Sequence, residues 1–332
     1  MPNVLFAIPD GPLKSHMFSA EWRARLEGLT QVEWNDTGRE LTSAELAERI
    51  TDKDILITGW GSPRVTDAVL NAAPRLKMIA HSAGTVRWLV EESFFDRGIV
   101  LTNANLALAP SVAEYCLMTI LMARWRILDS IKRVRDGLWQ SNNDIVPGLN
   151  GAKIGLIGYG AIAEELIRLL RQFDVRIAIH SEHLSEEQAR QMGVRRCSME
   201  EALHSDVVSL HKTLTESTRH MIGKRELDMI PDGGILINTS RGALIDEAEL
   251  IHQLERGRIH AVLDVFEEEP LPHGHPLRTM PGAIVTPHCA GTSAYFRQAM
   301  AELVLSDIEC VLNDMRPRGA ISKAKYMSMT PM

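Results

Sequence analysis

Short apolar runs rich in β-branched residues alternate with helix-type patterns along almost the whole of this sequence. Strands that are joined through helices run parallel, and a parallel sheet is covered by helices on both faces. The alternation therefore predicts an α/β protein built on doubly wound parallel sheets. It restarts near Ala152, so the pattern predicts two such sheets, one in each half of the chain.

Apolar runs mark the predicted strands, and capped or amphipathic segments mark the predicted helices. The strands predicted before residue 110 are Val4–Ile8, Asp54–Thr58, Leu76–His81 and Ile99–Thr102. The later predicted strands are Lys153–Ile157, Val175–His180, Val207–His211, Ile235–Thr239, Ala261–Phe266 and Ala283–Thr286. The predicted helices are Thr42–Ile50, Pro110–Arg126, Ile162–Gln172, Asp246–Arg256 and Ser293–Leu312.

The helix predicted over Pro110–Arg126 is apolar around most of its circumference, which is typical of a buried helix at a domain or subunit interface. Pro110 is expected in its first turn, where a missing N–H is tolerated. The tail from Arg316 onward is rich in Met, Ser, Lys and Pro, and we expect much of it to be mobile or to dock late.

Length, charge and cysteine content narrow the class of protein. A chain of 332 residues is expected to hold two domains of roughly 100–200 residues each. Its net charge of -7 argues against nucleic acid or an anionic membrane as the main partner. The four cysteines form no Cys-x-x-Cys pair, which favours reduced core thiols. We find neither a signal-peptide pattern nor an apolar run of the ~20 residues that span a bilayer, so we expect a cytoplasmic protein.

A glycine-rich turn follows the strand predicted to end at Ile157, in the segment IGLIGYGAIA of residues 154–163. Gly158 permits the tight turn, Gly160 lets a pyrophosphate approach the backbone, and Ala163 allows close packing of the next helix. The free N–H groups at the start of that helix attract the phosphates. This context predicts a Rossmann-like dinucleotide site. The other residues of the turn expected to line it are Tyr159, Ala161 and Ile162.

Ser181 stands where the next predicted strand ends, at the place where a residue contacts the adenosine ribose. A serine cannot make the two-oxygen contact of a carboxylate, and it does not repel a 2′-phosphate. However, no arginine stands beside it in the sequence, and Glu182 would repel the phosphate if it took over this role. The sequence therefore predicts NAD or NADP as cofactor, with a slight preference for NADP.

Three chemically complementary residues, Arg241, Glu269 and His288, each follow a predicted strand of the second half. The carboxyl ends of parallel strands meet at one edge of a sheet, so we expect these residues to converge. An arginine fork holds a carboxylate through two hydrogen bonds, and a histidine can protonate a carbonyl oxygen. A carboxylate beside the histidine fixes its tautomer and stabilises the imidazolium. No metal is expected, because the arginine and the histidine supply the polarisation.

The order of these motifs resembles that of the D-isomer-specific 2-hydroxyacid dehydrogenase family, which has phosphoglycerate, D-lactate and glyoxylate/hydroxypyruvate members. The resemblance implies an NAD- or NADP-dependent enzyme of the short form, without the C-terminal regulatory domain of the longer phosphoglycerate dehydrogenases. It is clearest from about Ser82 to Gly291. The motifs that carry it are HSAGT at 81–85, GYGAIA at 158–163, TSRG at 239–242, EEEP at 267–270 and PHCAG at 287–291.

The resemblance also implies roles for individual residues. Arg241 would bind the substrate carboxylate and polarise the carbonyl, His288 would be the acid/base, and Glu269 would be its partner. Asp264 would hold the nicotinamide carboxamide. The substrate loop, whose N–H groups would receive the carboxylate, is Ser82, Ala83 and Gly84. The further residues implied to border the cofactor are Ser181, His211, Lys212, Thr213, Thr239, Ser240 and Gly291.

The family's layout implies a division of the chain into two Rossmann-like domains. Residues 1–104 and 292–332 would form a flavodoxin-like substrate domain, and residues 105–291 would form the dinucleotide-binding domain. The active-site cleft is expected between these domains. The long apolar helix is expected to make the chain a homodimer.

Several positions depart from the family's pattern. Many relatives have an aspartate shortly after the loop glycine, whereas this chain has the segment TVRW at 85–88. We expect Arg87 in this segment either to meet a second anionic group of the substrate or to face solvent. Thr213 replaces a common proline. The stretch from Arg241 to the acidic run is one residue shorter than usual, which leaves Glu267 and Glu268 as weaker alternatives to Glu269.

The leading hypothesis is therefore a dehydrogenase that interconverts a 2-oxo acid and a D-2-hydroxy acid by hydride transfer, like hydroxypyruvate and glyoxylate reductases. A dinucleotide-sensing co-repressor of the same family keeps the same three residues and is an alternative from a different class. A formate- or phosphite-type dehydrogenase is an alternative within the family. The sequence leaves the identity of the acid open.

Overall fold

The computed structural model describes residues 1–139 and 145–330, and the chain forms two compact units. The first comprises residues 1–109 with those from 291 onward, and the second comprises residues 110–290. Each unit is built on one parallel sheet accompanied by helices. The predicted α/β class with two doubly wound parallel sheets is therefore confirmed.

All strands predicted from the sequence are present, with ends that differ from the prediction by at most a few residues. The strands are β1 (Asn3–Phe6), β2 (Gln31–Trp34), β3 (Ile55–Thr58), β4 (Met78–His81), β5 (Val100–Asn103), β6 (Lys153–Ile157), β7 (Arg176–His180), β8 (Arg195–Arg196), β9 (Val207–Leu210), β10 (Ile235–Asn238), β11 (His260–Leu263) and β12 (Ala283–Val285).

The α-helices are α1 (Pro12–Met17), α2 (Ala20–Leu29), α3 (Ser43–Arg49), α4 (Asp67–Asn71), α5 (Asn105–Arg124), α6 (Ile127–Arg135), α7 (Ala161–Leu170), α8 (Glu186–Gln191), α9 (Met199–Leu203), α10 (Lys224–Met229), α11 (Glu247–Glu255), α12 (Ala294–Leu312) and α13 (Lys323–Met327). Short 3-10 helices occupy Glu92–Arg97, Gly242–Leu244 and Pro276–Arg278.

In the first unit the strand order is β2-β1-β3-β4-β5. The chain crosses to the other side of β1 between β2 and β3, so the carboxyl ends of β1 and β3 form a topological switch point. Helices cover both faces of this sheet. Trp22 of α2 and Leu305 of α12 belong to the core on one face, and Leu46 of α3 and Val69 of α4 belong to the core on the other.

In the second unit the strand order is β12-β11-β10-β9-β6-β7-β8. The switch point here lies between β6 and β9, which brings Gly158 beside His211. Gly158 has a φ of +101°, and a Cβ at this residue would lie 2.4 Å from the carbonyl oxygen of His211. Both the backbone conformation and the close approach therefore require glycine at the predicted turn.

Two strands at sheet edges, β2 and β8, carry no sequence signal of the kind used for the others. The residues of β2 are exposed or half-buried. The strand β8 consists of Arg195 and Arg196, which pair with Ala178 and Ile179 of β7. Charged residues are common on edge strands, and they remove the apolar run from which a strand is predicted.

The helix α5 begins and ends earlier than predicted, so Pro110 lies inside it and not in its first turn. The first turn forms upstream of the proline because the side-chain oxygen of Asn103 accepts the N–H of Asn105 at 3.3 Å. The boundary between the two units falls at Pro110, within this helix.

Within this single chain, the helix predicted to be buried at a domain or subunit interface is partly enclosed and partly exposed. Ala113 and Cys116 are fully enclosed, whereas Leu106 and Met118 are nearly half exposed. With a mean hydropathy of 1.6, α5 is the one helix in the described part of the chain that is long and apolar enough to span a membrane. The expectation that no segment reaches this length is therefore wrong, although helices of protein cores meet the same criterion.

The C-terminal tail is docked on the first unit as far as the described residues extend. The hydroxyl of Tyr326 in α13 donates to the carbonyl oxygen of Val90 at 2.8 Å. The buried carboxylate of Asp307 accepts the N–H groups of Arg318 at 2.8 Å and Gly319 at 3.1 Å. The expectation that this tail docks is therefore met for these residues.

Gly155 in the middle of β6 is a second position where glycine is required, because a Cβ there would lie 1.9 Å from the carbonyl oxygen of Ala202 in α9. We expect Gly155→Ala to lower the free energy of unfolding by about 1–3 kcal/mol, since α9 must move away from the sheet. Urea unfolding followed by circular dichroism measures this change.

The matched control is Gly28→Ala in α2, where an added Cβ meets nothing within 4 Å. This variant is expected to be neutral or slightly stabilising, because alanine favours the helix. Equal stabilities of the two variants would contradict the close packing of α9 on β6.

Candidate active site

The turn that carries Arg241 is held by Asn238, which ends β10 and is fully buried. The side-chain amide of Asn238 donates to the carbonyl oxygen of Arg241 at 2.8 Å, and its side-chain oxygen accepts the N–H of Ser240 at 3.0 Å. One buried side chain thus closes the turn. The sequence alone gives Asn238 no role, because its function depends on this local geometry.

Arg241 lies beside the loop that follows β11. The next residue, Gly242, packs so closely on that loop that a Cβ would lie 1.9 Å from the carbonyl carbon of Phe266. Burial lowers the pKa of Arg241, and the negative charge of Glu269 acts in the opposite direction. The structure therefore brings a largely enclosed guanidinium into the electrostatic range of the predicted carboxylate.

His288 and Glu269 form a hydrogen-bonded pair. The Nδ1 atom of His288 lies 2.6 Å from Oε2 of Glu269, and Oε1 of Glu269 accepts the N–H of Phe266 at 3.0 Å. The backbone contact orients the carboxylate, which in turn orients the imidazole through Nδ1 and leaves Nε2 on the other side of the ring. The φ of His288 is +52°, a rare value that the surrounding loop must impose.

The run of three glutamates is divided between two histidines. Oε1 of Glu267 lies 2.5 Å from Nε2 of His220, whereas Glu269 contacts His288. His220 also has a positive φ, of +51°. Because Glu267 is paired elsewhere, Glu269 is the member of the run that reaches His288. His220 belongs to none of the motifs, and the sequence did not single it out.

The loop that carries His288 is anchored by Asp264, which is only 1% exposed. The carboxylate of Asp264 accepts hydrogen bonds from the hydroxyl of Thr286 at 2.6 Å and from the N–H groups of Cys289 and Ala290 at 2.8 Å. The resemblance implies a contact with the nicotinamide carboxamide. In the structure both carboxylate oxygens are bonded to the backbone or side chains that flank His288.

Tyr115 in α5 extends this network, since its hydroxyl lies 2.5 Å from that of Thr286. Burial raises the pKa of Tyr115 to about 12, so the hydroxyl keeps its proton. The next residue, Cys116, lies 3.3 Å from the hydroxyl of Thr239, and burial raises its pKa to about 12. The second half of α5 thus contacts both loops of the site, which no motif indicates.

The glycine-rich turn has an open side suited to a pyrophosphate. Gly160 immediately precedes α7, no side chain caps the start of this helix, and a Cβ added to Gly160 would meet nothing within 4 Å. Ala163 is fully buried, as its predicted packing role requires. Free N–H groups and the positive end of a helix dipole favour a phosphate at this place. The residues present therefore fit a dinucleotide.

The side chains at the end of β7 surround Ser181, which is 3% exposed. Its hydroxyl accepts the N–H of His183 at 3.2 Å. Glu182 pairs with Lys212, whose hydrogen bond lowers the pKa of Glu182 to about 2. Arg196 of β8 donates from Nε to the carbonyl oxygen of Ser181 at 3.4 Å. Sheet pairing thus supplies the arginine that the neighbouring sequence lacks.

The other residues that the sequence associates with the cofactor, except Gly291, follow strands of the second sheet. They are Tyr159, Ala161 and Ile162 after β6, His211, Lys212 and Thr213 after β9, and Thr239 and Ser240 after β10. Gly291 is assigned to the first unit, where a Cβ would lie 2.8 Å from Cδ1 of Leu108.

In the first unit, the predicted substrate loop directly follows β4. The N–H and the hydroxyl of Ser82 donate to the carbonyl oxygen of Thr58 at 2.7 and 3.0 Å. The carbonyl oxygen of Gly84 accepts a hydrogen bond from the side chain of Asn103. Within residues 1–139 and 145–330, no hydrogen bond uses the N–H groups of Ala83 and Gly84. These two donors are available to a carboxylate.

Arg87 was expected either to meet an anionic group of the substrate or to face solvent, but in the structure it contacts the C-terminal tail. Its guanidinium lies 4.5 Å from the ring centroid of Tyr326, and its Nη1 lies 3.4 Å from Sδ of Met327. The helix α13 therefore engages this arginine.

No cluster of three potential metal ligands occurs in the part of the chain that the structure describes. Cys289 follows His288, and burial together with the charge of Asp264 raises the pKa of its thiol. This thiol is held in its protonated form, which makes it a poor nucleophile.

Residues 117–290 match the family model of the D-isomer specific 2-hydroxyacid dehydrogenase NAD binding domain. The chain is 34% identical over 290 residues to a D-3-phosphoglycerate dehydrogenase of Methanocaldococcus jannaschii, covering 86% of this chain and 54% of that relative. It therefore spans about half the length of that protein. It is 32% identical over 294 residues to a glyoxylate reductase of Korarchaeum cryptofilum, covering 85% of this chain and 88% of that relative.

Among solved structures, a phosphoglycerate oxidoreductase from Rhizobium etli matches with a TM-score of 0.82 and 25% identity, over 97% of this chain and 98% of that one. The family model, the relatives and the shared fold agree with the resemblance found in the motifs. The chain belongs to the D-isomer-specific 2-hydroxyacid dehydrogenase family.

Proposed function

We propose that this protein reduces a 2-oxo acid to the D-2-hydroxy acid with a nicotinamide dinucleotide. The observation that carries the proposal is the pair of His288 and Glu269, 2.6 Å apart, with the enclosed guanidinium of Arg241 nearby. A proton donor, its carboxylate partner and a cation that binds a carboxylate are the groups that this reduction needs. Relatives named glyoxylate reductase and D-3-phosphoglycerate dehydrogenase support the same class of substrate.

Arg241 is proposed to hold the substrate carboxylate and to polarise the neighbouring carbonyl oxygen. An enclosed guanidinium attracts an anion more strongly than one in water, because the surrounding dielectric constant is lower. The free N–H groups of Ala83 and Gly84 are proposed to receive the same carboxylate. By this assignment the first unit is the substrate domain and the second unit is the dinucleotide domain.

The proton step is assigned to His288. When bound, the nicotinamide supplies the hydride that forms the new C–H bond at substrate C2. His288 donates a proton from Nε2 to the carbonyl oxygen, which becomes the hydroxyl of the product. Glu269 stabilises the imidazolium before this transfer. Hydride and proton together convert the 2-oxo acid to the 2-hydroxy acid, and His288 accepts the proton in the reverse direction.

The test is the loss of absorbance of NADH or NADPH on mixing with the protein and glyoxylate, hydroxypyruvate, pyruvate, 2-oxobutyrate or phenylpyruvate. We expect turnover that needs both protein and acid. Glu269→Gln should lower kcat by roughly 10²-fold or more, because the imidazolium loses its partner. Arg241→Lys should lower kcat/KM by roughly 10²–10³-fold, because lysine keeps the charge but not the fork.

The matched control is Glu267→Gln, the same substitution two residues away, where the lost partner is His220 and not His288. Its effect on kcat should be much smaller. Equal losses in the two glutamate variants would contradict the role of Glu269. Dinucleotide binding without turnover of any acid, with formate and phosphite also inactive as hydride donors, would favour the sensing protein.

We further propose that the cofactor is NADP(H). The charge of Glu182 is offset by its pairing with Lys212, and Arg196 lies behind Ser181. A 2′-phosphate at the end of β7 would therefore meet two cations. The hydroxyl of Ser181 accepts the N–H of His183, and a serine offers the ribose no carboxylate.

Arg196→Leu is expected to raise KM for NADPH by roughly tenfold and to change KM for NADH little, because a charged hydrogen bond to the phosphate is lost. Initial rates at fixed acid concentration measure both constants. The control is Arg195→Leu in the same strand. Both arginines pair with a glutamate, Arg195 with Glu201 and Arg196 with Glu186, but only Arg196 contacts Ser181. Equal effects on the two cofactors, or a wild-type preference for NADH, would contradict the proposal.

A homodimer is proposed from the exposed face of α6. None of the residues of this helix is buried, and Leu128, Ile131 and Val134 share one face and are 42–57% exposed. Trp125, just before the helix, is also 49% exposed. A continuous apolar stripe of this kind is typical of a protein contact surface. Since α6 directly follows α5, it extends the helix that the resemblance assigns to dimerisation.

Ile131→Glu is expected to convert the dimer to a monomer, because a charge at the centre of the stripe cannot be buried without a partner. Light scattering after size-exclusion chromatography measures the mass. The control is Lys132→Glu, which introduces the same charge at the next position, outside the stripe. An unchanged mass in the Ile131 variant would exclude this face as the interface.

A cytoplasmic location is also proposed, as expected from the sequence. No disulfide joins any of the four cysteines, and Cys116 is fully buried. Unpaired buried thiols are typical of proteins in reducing compartments.

A further inference from the structure

Arg297 in α12 has an enclosed guanidinium nitrogen without a hydrogen-bond acceptor from the protein. Its Nη1 is enclosed, and no residue in the described ranges accepts a hydrogen bond from this atom. Burial lowers the pKa of Arg297, as expected for a guanidinium taken out of water. Burying a cationic donor without an acceptor costs free energy, so the position calls for an acceptor from outside the chain.

The guanidinium of Arg297 stacks on Trp60, with its central carbon 4.2 Å from the ring centroid. Trp60 itself is 39% exposed, so the stacked pair borders open space. Stacking on an indole fixes the plane of the guanidinium and leaves its edge for hydrogen bonding. An arginine held in this way is prepared for the planar oxygens of an anion.

The pair lies at the switch point of the first sheet. Trp60 follows β3, and its two neighbouring glycines allow three loops to meet there. A Cβ on Gly59 would lie 2.4 Å from Oγ of Ser82, and a Cβ on Gly61 would lie 3.0 Å from Cγ of Pro9. The loops after β1, β3 and β4 are therefore in contact. In open α/β sheets, this is the place where ligands bind.

We infer that Arg297 and Trp60 form a subsite for a second anionic group of the substrate. The inference rests on the proposed function, in which the loop of Ser82 to Gly84 receives the carboxylate next to the carbonyl. Ser82 and Trp60 lie in loops that contact each other. An acid whose carboxylate binds at Ser82 to Gly84 therefore extends its far end towards Arg297. The favoured substrates are 2-oxo acids with a carboxylate or phosphate at the far end.

Arg87 is the other arginine considered for this role, and its contacts differ. It stacks on Tyr326 and donates from Nη1 to Sδ of Met327, so the protein engages it directly. Arg297 keeps an enclosed donor that the protein leaves unsatisfied. Arg87 therefore serves as the control for Arg297: we assign Arg297 to the ligand, whereas Arg87 contacts the C-terminal tail.

The experiment compares acids that differ only at the far end, in the full-length protein with NADPH. One pair is 2-oxosuccinate and 2-oxobutyrate, and another is 2-oxoglutarate and 2-oxopentanoate, in which a methyl group replaces the far carboxylate. Phosphohydroxypyruvate tests phosphate in place of carboxylate, and glyoxylate has no far group. The measured quantity is the ratio of kcat/KM for the charged acid to that for its uncharged counterpart.

In the wild type we expect kcat/KM to be well above that of the uncharged counterpart for at least one of the charged acids, which are 2-oxosuccinate, 2-oxoglutarate and phosphohydroxypyruvate. The uncharged counterpart of phosphohydroxypyruvate is hydroxypyruvate. Arg297→Met should lower that ratio by roughly 10–100-fold, because a charged hydrogen bond is lost. Arg297→Lys should retain part of it, and Trp60→Leu should lower it. Arg87→Met should leave the ratio unchanged. Thermal unfolding of each variant checks that the fold is intact.

A wild-type ratio at or below one for every pair would overturn the inference, and so would equal losses on charged and uncharged acids in Arg297→Met. If glyoxylate and the uncharged acids are reduced in either case, the proposed function stands and the subsite alone fails. If no acid is reduced, the proposed function fails. Calorimetric binding of 2-oxosuccinate and 2-oxoglutarate to wild type and Arg297→Met then still decides the subsite.

Discussion

The buried carboxylate of Asp264 is the group on which the geometry of the active site depends. It follows β11 and binds the backbone immediately after His288 together with the hydroxyl of Thr286. A buried carboxylate without donors would cost several kcal/mol, so the loop and the aspartate stabilise each other. The left-handed backbone of His288 is maintained by these bonds to its neighbours, and the imidazole is thereby directed to Glu269.

Features with a local signal could be predicted from the sequence. The parallel strands, the turn at Gly158 and the three site residues each depend on residues within one strand and the loop that follows it. The pairing of Arg196 with the end of β7 could not be predicted, because it joins residues 15 positions apart through an edge strand of two arginines. The same is true of Tyr115, whose contact with Thr286 spans 171 positions.

The glutamate run shows why counting along a motif has limited precision. From the sequence, Glu267, Glu268 and Glu269 differ only by their distance from a proline. In the structure, Glu267 is bound to His220, and Glu269 is oriented by the N–H of Phe266. The choice between them is therefore made by a histidine outside every motif, in a backbone conformation that the sequence does not signal. The sequence pattern thus restricts the partner of His288 to three glutamates, and only the contacts with neighbouring loops distinguish among them.

Two arginines of the first unit, Arg87 and Arg297, extend this argument from the proposed catalytic residues to the proposed substrate. Arg87 attracts attention in the sequence because it is close to the substrate loop, yet an aromatic ring and a methionine of the tail engage it. Arg297 belongs to a helix and has no motif, but its enclosed Nη1 lacks an acceptor. In a folded chain, polar groups that are buried find partners as a rule. An exception at a sheet's switch point, where open α/β sheets bind ligands, therefore supports a ligand contact more directly than proximity in sequence does.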